Sequence, residues 1–295
     1  MLVAAVALPA AAQDKKLSVV MRATAPFYDV NGPIEVVLRL RNDTGAPFST
    51  APGMLLDDGI VVKDHAGNAL AKSGIIEKEG AKLPDTIPQG QEYIRTINLR
   101  LGYPQGLAAP GCFTASWENP KISCVPADVR IAPKYDKAKR YSVAMETSMG
   151  AFEIELSPDK APNHVSNFVS LSASGFYDGL TFHRVVDGFM IQGGDPKGDG
   201  TGTAGYKLRA EPNDLKHEKG AVVMARGDDP NSASCQFYIC LAPQPKLDGA
   251  YTVFGHVVKG MDVVEKIGKV KTGAEDRPVE KVTITKVTVS EKPAS

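Results

Sequence analysis

The stretch Thr181–Asp195 reads TFHRVVDGFMIQGGD and decides how the second half of the chain is interpreted. Gln192 is a polar amide within an apolar run, and a buried amide needs hydrogen-bond partners, of which a bound peptide is one candidate. Phe189 follows Gly188 at the start of a predicted strand. Arg184 carries a guanidinium that stays charged. A functional role is one interpretation of Phe189 and Arg184. The alternatives are that Phe189 packs in the core and that Arg184 belongs to a surface ion pair.

Upstream of this stretch the pattern predicts a hairpin and then a helix. The segment Tyr141–Leu156 contains two β-like runs around Ser148-Met149-Gly150. After it, Ala161-Pro162-Asn163 opens an amphipathic run whose apolar residues recur at helical spacing. Pro162 suits the first helical turn, and Gly175 suits the end of the helix.

Five blocks of sequence follow one another in the second half of the chain. They are APNHVSNFVSL, GFYDGLTFHRVVDGFMIQGGD, GDGTGTAGY, GAVVMARGDDPNSASCQFYI and KLDGAYTVFGHVVKGMDVVEKI. In content, order and interval they resemble the cyclophilin-type peptidyl-prolyl cis-trans isomerases, most closely the bacterial secreted forms. The resemblance covers residues 141–290. It implies a closed eight-stranded antiparallel barrel with two helices, the second from Met261 to about Ile267, and a substrate groove on the outer wall.

The reaction implied by this resemblance is rotation about an X-Pro amide bond. Partial double-bond character gives a barrier of about 18–20 kcal/mol, so the uncatalysed change takes tens of seconds or longer. No bond breaks, and we therefore expect no cofactor and no metal. The chemistry needs an apolar pocket for the ring, a donor aimed at the proline nitrogen, and groups that hold the flanking peptide.

The resemblance places three catalytic positions and eight substrate-binding positions on this sequence. It implies that Arg184 donates to the twisted amide, that Phe189 lines the proline pocket, and that Gln192 donates to a peptide carbonyl. The substrate-binding positions are Met190, Gly200, Ala225, Arg226, Gln236, Tyr238, Leu247 and Tyr251.

Four of the matched positions depart from the family's better-known members. Arg226 stands where eukaryotic members have Asn, Tyr238 replaces the usual pocket Phe, and Tyr251 stands where many members have His. Lys246 stands where drug-sensitive members carry the Trp that contacts cyclosporin. We therefore expect weak inhibition by cyclosporin with catalysis intact. His183, next to Arg184, is expected to be a structural hydrogen-bonding residue and not a base.

The first half of the chain shows the alternation of half-buried strands. Apolar and polar residues alternate in runs such as Ile34–Leu40 and Ile97–Leu101, separated by turn signals such as Asn31-Gly32. This predicts an immunoglobulin-like β-sandwich over residues 17–131, which makes the whole protein mainly β. We expect that unit to bind or position clients. Residues 132–140 are basic and polar, which predicts an exposed linker, with contact to anionic lipid or a partner as the alternative.

The N-terminal residues indicate a compartment. Residues 1–12 read MLVAAVALPAAA, an apolar run that ends in small residues, which predicts a signal peptide and an exported protein in the periplasm or cell envelope. The basic opening of a signal peptide is missing, so we expect the true start upstream; an apolar strand is the alternative. Lys+Arg and Asp+Glu are both 34, a balance that argues against a nucleic-acid partner. No later run is long enough to span a membrane.

The four cysteines fit an oxidising compartment in part. Cys112 and Cys124 bracket a predicted hairpin around Asn119-Pro120 and are a candidate disulfide, with free thiols as the alternative. Cys235 and Cys240 lie on one predicted strand, about 16 Å apart at about 3.3 Å per residue. A disulfide requires less than about 7 Å, so these two are expected to be unpaired, buried and on opposite faces. No Cys-x-x-Cys motif or histidine cluster predicts a metal site.

The sequence therefore predicts a peptidyl-prolyl isomerase that assists the folding of exported proteins. Its expected partners are proline-containing peptides and unfolded exported chains. One alternative is a cyclophilin-like or chaperone module that binds proline motifs with little turnover. Another makes the first half the functional part.

Overall fold

The computed structural model describes residues 17–49, 59–76, 84–118 and 123–293. The predicted signal peptide and the Asn119-Pro120 turn lie outside the described residues. The chain divides into two compact units, the first made of residues 1–25, 32–108 and 113–129, and the second of residues 26–31, 109–112 and 130–295.

Ten strands lie in the described residues before the isomerase-like segment. They are β1 (Leu17–Ala23), β2 (Tyr28–Asp29), β3 (Glu35–Asn42), β4 (Phe48–Ser49), β5 (Ile60–Asp64), β6 (Thr86–Ile87), β7 (Glu92–Asn98), β8 (Gly111–Trp117), β9 (Ser123–Val125) and β10 (Ala127–Ala132). They form four-stranded sheets in the orders β7-β3-β1-β9 and β2-β10-β8-β5, and β4 pairs with β6. The mainly β character is confirmed, whereas the immunoglobulin-like sandwich stays a prediction.

One predicted strand ends early. The alternation Ile97–Leu101 predicts a continuous strand, but β7 stops at Asn98 and a helical turn, α1 (Leu99–Gly102), follows. The Asn98 side chain accepts hydrogen bonds from the backbone N–H of Arg100 at 3.1 Å and of Ile34 at 3.0 Å. This capping satisfies backbone donors in a non-extended conformation, which ends the strand.

The described residues of the second unit form eight further strands and two longer helices. They are β11 (Lys139–Thr147), β12 (Gly150–Leu156), α2 (Pro162–Ala173), β13 (Arg184–Val186), β14 (Met190–Gly193), β15 (Ala221–Met224), β16 (Phe237–Cys240), β17 (Val253–Lys259), α3 (Met261–Gly268) and β18 (Ile284–Pro293). Single 3-10 turns occur at Pro245–Leu247 and Ala274–Asp276. Both predicted helices lie where the sequence pattern indicates them, with Pro162 in the first turn of α2.

The eight strands form one curled antiparallel sheet in the order β13-β14-β16-β15-β17-β12-β11-β18. The expectation of a closed barrel is wrong. The end strands of the sheet, β13 and β18, do not pair with each other among the described residues. An isolated bridge between Thr181 and Thr283 spans the gap between the two ends of the sheet. Because β13 begins only at Arg184, past this bridge, the ladder does not continue and the barrel is open.

The strands that carry the site are apolar on both faces. All four residues of β15 and all four of β16 are buried. Alternate residues belong to two clusters, an interior core that includes Ile191, Val222 and Ile239, and a separate outer-face cluster. The outer-face cluster consists of Met190, Ala221, Val223, Tyr238, Cys240 and Val253. A sheet covered on both faces explains why these strands read as continuous apolar runs and not as alternation.

The cysteines follow this geometry. All four are free thiols. Cys235 belongs to the interior core and Cys240 to the outer-face cluster, which confirms that they are unpaired, buried and on opposite faces. The candidate disulfide between Cys112 and Cys124 does not form. Cys124 Sγ accepts the backbone N–H of Trp117 at 3.3 Å, and Cys112 lies five residues back along the same strand, roughly 16 Å from that end.

Helix α2 begins on a carboxylate from a distant loop. Glu211 accepts hydrogen bonds from the backbone N–H groups of Asn163 at 3.1 Å and His164 at 2.9 Å, and from Nδ1 of His164 at 2.6 Å. Burial, which raises the pKa of Glu211, is outweighed by these hydrogen bonds, and the pKa is lowered. Burial lowers the pKa of His164. The ionised carboxylate and the neutral ring together satisfy the helix start.

No helix in the described part of the chain has both the length and the apolar character needed to cross a membrane.

Candidate functional site

A tight hairpin sets the register of the site. Strands β13 and β14 are joined through Asp187-Gly188-Phe189. Gly188 has a positive φ of 69° that a residue without Cβ adopts at no steric cost. The resulting ladder pairs Arg184 with Gln192, and the next ladder pairs Gln192 with Tyr238. Directly paired residues project from the same face of a sheet. One rung therefore carries three of the residues that the sequence marks for the site.

The apolar side of the site is the outer-face cluster. Met190 is 2% exposed and Tyr238 is 6% exposed, and both belong to this cluster. Phe189, Ala225 and Tyr251 are partly buried and pack against it. Ring contacts extend the wall, with Tyr238 and Tyr251 edge to face at 6.1 Å between centroids. These residues form a surface that suits a proline ring.

The polar side is a neighbouring pocket with a cavity volume of about 210 Å³. It contains five of the residues expected at the site, namely Gln192, Gly200, Ala225, Arg226 and Gln236. Backbone and small hydroxyl groups supply the remainder of its lining, with Thr201, Thr203, Ser232 and Ser234 among them. The site thus joins an apolar wall to a polar pocket, as an extended peptide requires.

A chain of side-chain hydrogen bonds fixes the two glutamines. Gln192 Nε2 donates to Gln236 Oε1 at 3.0 Å. Gln236 Nε2 in turn donates to the carbonyls of Gly200 at 3.0 Å and Gly202 at 2.9 Å, which uses both of its hydrogens. Gln192 Nε2 carries a second hydrogen besides the one in this chain.

The glycine-rich loop that receives Gln236 is wrapped around a buried carboxylate. Asp195 is 1% exposed. Its oxygens accept the backbone N–H groups of Lys197 at 2.8 Å and Asp199 at 3.2 Å, and also that of Gly200. A Cβ on Gly202 would lie 1.8 Å from Asp195 Oδ1, so the loop closes on the carboxylate only because position 202 is glycine.

Arg184 pairs with a residue ninety-two positions away. Its Nε and Nη2 both donate to Asp276 Oδ2, at 3.2 and 3.1 Å. Both side chains are nearly half exposed. Arg184 therefore does form a surface ion pair, as the alternative interpretation expects. The pair lies at the end of the same rung that carries Gln192.

Arg226 links the two loops that border the apolar wall. Nη1 donates to the carbonyl of Gly227 at 2.7 Å, and Nη2 donates to the carbonyl of Ala250 at 3.2 Å. Its guanidinium lies 4.4 Å from the centroid of the Tyr251 ring, within cation–π range. Arg226 therefore holds the two loops beside the apolar wall in place.

Several buried polar groups behind the wall lack partners. In the described part of the chain, the Tyr238 hydroxyl and Nε2 of His217 have no hydrogen-bond partner. His217 is held through Nδ1 to Asp248 Oδ1 at 2.9 Å, and its ring stacks against Tyr238 at 6.4 Å between centroids. Leu247 lies half-buried on the turn next to Asp248, and Lys246 on the same turn is exposed.

His183 does not make the structural hydrogen bond expected of it. It is 7% exposed, and neither ring nitrogen has a partner among the described residues. Burial lowers its pKa, and the nearby charge of Asp195 opposes this only in part. The ring is therefore neutral near neutral pH.

Among the described residues no group of three or more His, Cys, Asp or Glu side chains is arranged to hold a metal ion.

Comparisons with known proteins agree with this geometry. The family model described as cyclophilin type peptidyl-prolyl cis-trans isomerase/CLD matches residues 142–289. Peptidyl-prolyl cis-trans isomerase-like 1 of Aspergillus niger is 44% identical over 154 residues, which cover 51% of this chain and 95% of the relative. Peptidyl-prolyl cis-trans isomerase CYP18-2 of Arabidopsis thaliana is 43% identical over 151 residues, covering 50% of this chain and 92% of the relative.

A solved structure gives the same result. The crystal structure of a Cryptosporidium parvum cyclophilin type peptidyl-prolyl cis-trans isomerase matches with a TM-score of 0.50 and 30% identity, covering 52% of this chain and 99% of that one. The chain belongs to the cyclophilin-type peptidyl-prolyl cis-trans isomerase family. It is a peptidyl-prolyl isomerase. The relatives reported above are eukaryotic, and the closer likeness to bacterial secreted forms stays a prediction.

The structure brings most of the expected site residues together and adds others. Arg184 and Leu247 do not line the polar pocket, and they are not part of the outer-face cluster. Arg184 is nevertheless paired with Gln192 in the ladder between β13 and β14. Sequence reasoning missed Asp276, Asp195 and His217. Asp195 ends the quoted stretch, and its place after two glycines was an available turn signal.

Proposed function

We propose that this isomerase uses Arg184 as its catalytic donor, Phe189 as part of the proline pocket, and Gln192 as the group that holds the substrate backbone. The observation that carries the proposal is the shared rung. Arg184, Gln192 and Tyr238 are consecutive partners across three strands, with the apolar wall on the same face.

The chemistry follows from the amide. When the X-Pro bond twists, resonance is lost and the proline nitrogen gains a lone pair that accepts a hydrogen bond. A guanidinium donates without losing its proton, so Arg184 stabilises this state and no base is needed. Met190 and Phe189 hold the ring, while Gln192 and the backbone of Ala225 and Arg226 pair with the flanking peptide.

These groups can supply the reduction in activation free energy that the reaction needs. Each tenfold in rate takes about 1.4 kcal/mol, so an acceleration of about 10⁵ needs about 7 kcal/mol. A charge-assisted hydrogen bond contributes about 1.5–3 kcal/mol. Orientation of a bound substrate contributes up to about 7–11 kcal/mol. One donor and a pre-formed groove are therefore sufficient.

The clients that we propose are unfolded exported proteins in the periplasm or cell envelope. The support is the apolar run at residues 1–12, which ends in small residues before the polar Gln13-Asp14. We also propose that the first unit is an immunoglobulin-like sandwich that holds clients for the isomerase. Its support is the strand alternation of the sequence, as in β3, where Val36, Leu38 and Leu40 are buried.

The test of the catalytic proposal compares isomerisation of a short proline peptide by the wild type and by Arg184→Ala. We expect a loss of about a hundredfold in kcat/KM, typical of the removal of one transition-state donor. An Arg184→Ala variant that retains full activity would refute the assignment. A wild type that binds the peptide with negligible turnover would favour the proline-motif binding module.

The export proposal has its own test. The gene product, expressed from its natural start codon in a Gram-negative bacterium with a C-terminal tag, is fractionated and its N-terminal sequence is determined. Recovery in the periplasm with Gln13 as the first residue supports the proposal. Recovery of the uncleaved chain in the cytoplasm contradicts it.

A further inference from the structure

A short β-loop close to Arg184 carries a feature that the reaction described above does not use. We call residues 271–279 the strap. Its two arms are joined by a bridge between Thr272 and Pro278 and by the hydrogen bond from the backbone N–H of Val279 to the carbonyl of Lys271, at 2.9 Å. Its tip is closed by the hydrogen bond from Gly273 N–H to the Arg277 carbonyl, at 2.8 Å.

The tip of the strap has an unfavourable backbone conformation. Glu275 and Asp276 have positive φ angles of 59° and 57°, and they are the non-glycine residues with positive φ in the described part of the chain. Side chains with a Cβ rarely adopt this left-handed conformation, although Asp and Asn tolerate it better than most residues. Such backbone strain persists where surrounding contacts hold it, and it clusters at functional sites.

The contacts that hold the tip run to the isomerase site. Asp276 Oδ2 accepts both Nε and Nη2 of Arg184. Arg277, the next residue, donates from Nη1 to the carbonyl of Gly198 in the glycine-rich loop, at 3.4 Å. The strained tip thus connects the strand that carries the proposed catalytic arginine to the loop that receives Gln236.

The contact with Asp276 restricts the orientation of the Arg184 guanidinium and leaves some of its N–H donors available. An arginine side chain has many rotamers, and a free arginine must lose that freedom before it meets the substrate. Both bonds to Asp276 come from the Nε side of the guanidinium, and two of its five N–H donors are engaged. Three donors remain for the substrate.

We propose that Asp276 is a positioning residue for this isomerase, which holds the Arg184 guanidinium in the orientation that the twisted amide needs. The inference rests on the proposed catalytic role of Arg184. Asp276 also opposes part of the charge of Arg184. Because both side chains are nearly half exposed, water screens that opposition, and the gain in orientation is larger.

The test uses substitutions that respect the left-handed backbone. Asp276→Gly removes the carboxylate without adding strain, and Asp276→Asn keeps one acceptor oxygen. Glu275→Gly is the matched control, because it removes the same charge from the neighbouring left-handed residue. Glu275 pairs with Arg277 at 3.4 Å and not with Arg184. All variants are made in the full chain and assayed with a short proline peptide.

We expect Asp276→Gly to lower kcat about fivefold with KM changed less than about twofold, since orientation of the donor acts in the transition state. The Asn variant should recover part of the loss, and Glu275→Gly should retain kcat within about 1.5-fold. A full kcat in Asp276→Gly would overturn the proposal.

A double-mutant cycle separates positioning from a general structural role. In the Arg184→Ala background, Asp276→Gly should cause no further loss, because there is no guanidinium left to orient. An equal fivefold loss in that background would mean that Asp276 acts through the fold, which overturns the proposal. If Arg184→Ala alone loses nothing, the catalytic role of Arg184 fails instead, and the two failures are thereby distinguished.

Discussion

Gln192 and Gln236 face each other across neighbouring segments of the site, and one hydrogen bond of 3.0 Å from Gln192 Nε2 to Gln236 Oε1 joins them. Gln236 spends both hydrogens of its Nε2 on the loop carbonyls of Gly200 and Gly202. The glycine-rich loop therefore sets the orientation of the Gln192 amide indirectly, through its hydrogen bonds to Gln236.

Replacing Gln236 with Glu should test this chain of hydrogen bonds. A carboxylate cannot donate to the two loop carbonyls, and its charge repels them. We expect kcat/KM for a proline peptide to fall by about tenfold, roughly 1.4 kcal/mol. Gln236→Met, which removes donor and acceptor without adding charge, should lose less. Equal activity of the Glu variant and the wild type would show that these hydrogen bonds do not position Gln192.

The hydroxyl of Tyr238 should cost stability. It is buried without a hydrogen-bond partner among the described residues, and burial raises its pKa strongly. An unsatisfied buried group costs about 1–3 kcal/mol, whereas an apolar replacement of the same shape is neutral or stabilising. We expect Tyr238→Phe to raise the free energy of unfolding by about 1 kcal/mol, measured by calorimetry of the full chain.

The matched control is Tyr177→Phe. The Tyr177 hydroxyl donates to the carbonyl of Cys235 at 3.0 Å inside the same unit. Its removal leaves that carbonyl without this donor, and we expect a loss of about 1 kcal/mol. Changes of the same sign in the two variants would contradict this interpretation of Tyr238.

The carboxylate at the start of α2 should make the second unit sensitive to acid. The folded-state pKa of Glu211 is lowered, so its contribution is present above the unfolded pKa and is lost as pH falls through the folded value. Glu211→Gln should therefore be destabilised most at neutral pH. The difference from wild type should shrink as pH falls below about 4.5, as followed by amide exchange of Asn163 and His164. A difference independent of pH would refute this assignment.

The rate of isomerisation should not follow a histidine titration. Arg184 stays charged, and burial lowers the pKa of His183. We expect kcat to be constant between about pH 6.5 and 9. A bell-shaped profile centred on a histidine pKa would count against the mechanism.

Glycine at position 202 should be essential for the loop. In Gly202→Ala the new Cβ would lie 1.8 Å from Asp195 Oδ1, so the carboxylate must leave its backbone donors. We expect a higher KM and faster amide exchange at Lys197 and Asp199. Gly227→Ala is the control, because its Cβ would meet only the Ser232 hydroxyl at 3.4 Å, an ordinary contact. Identical behaviour of the two variants would show that the carboxylate does not hold the loop.

Much of the site follows from local sequence because its elements are local. Arg184 and Gln192 lie on one hairpin whose turn is marked by Asp187-Gly188, so spacing alone brings them near each other. The apolar runs of β15 and β16 predict burial, and the odd spacing of Cys235 and Cys240 predicts opposite faces. Family resemblance supplied the roles of these residues.

The parts that escaped prediction depend on long-range geometry. Asp276 meets Arg184 across ninety-two residues, and the turn signals Gly273 and Pro278 predict a loop without indicating which strand it reaches. The open barrel depends on where β13 begins relative to the bridge at Thr181. Asn98 ends β7 through a side-chain bond to Ile34, sixty-four residues away, which periodicity cannot indicate.

The outer-face cluster has the composition of a protein core but lies on the outer wall of the sheet. Met190, Val223 and Val253 are covered there by partly buried residues such as Phe189 and Tyr251. In the proposed site, a proline ring packs against these partly buried residues and extends the cluster. Substrate binding and the folding stability of the second unit are thermodynamically linked as a result, because any ligand that prefers the native state stabilises it. A proline-containing peptide that binds at the proposed site is therefore expected to stabilise the second unit against unfolding.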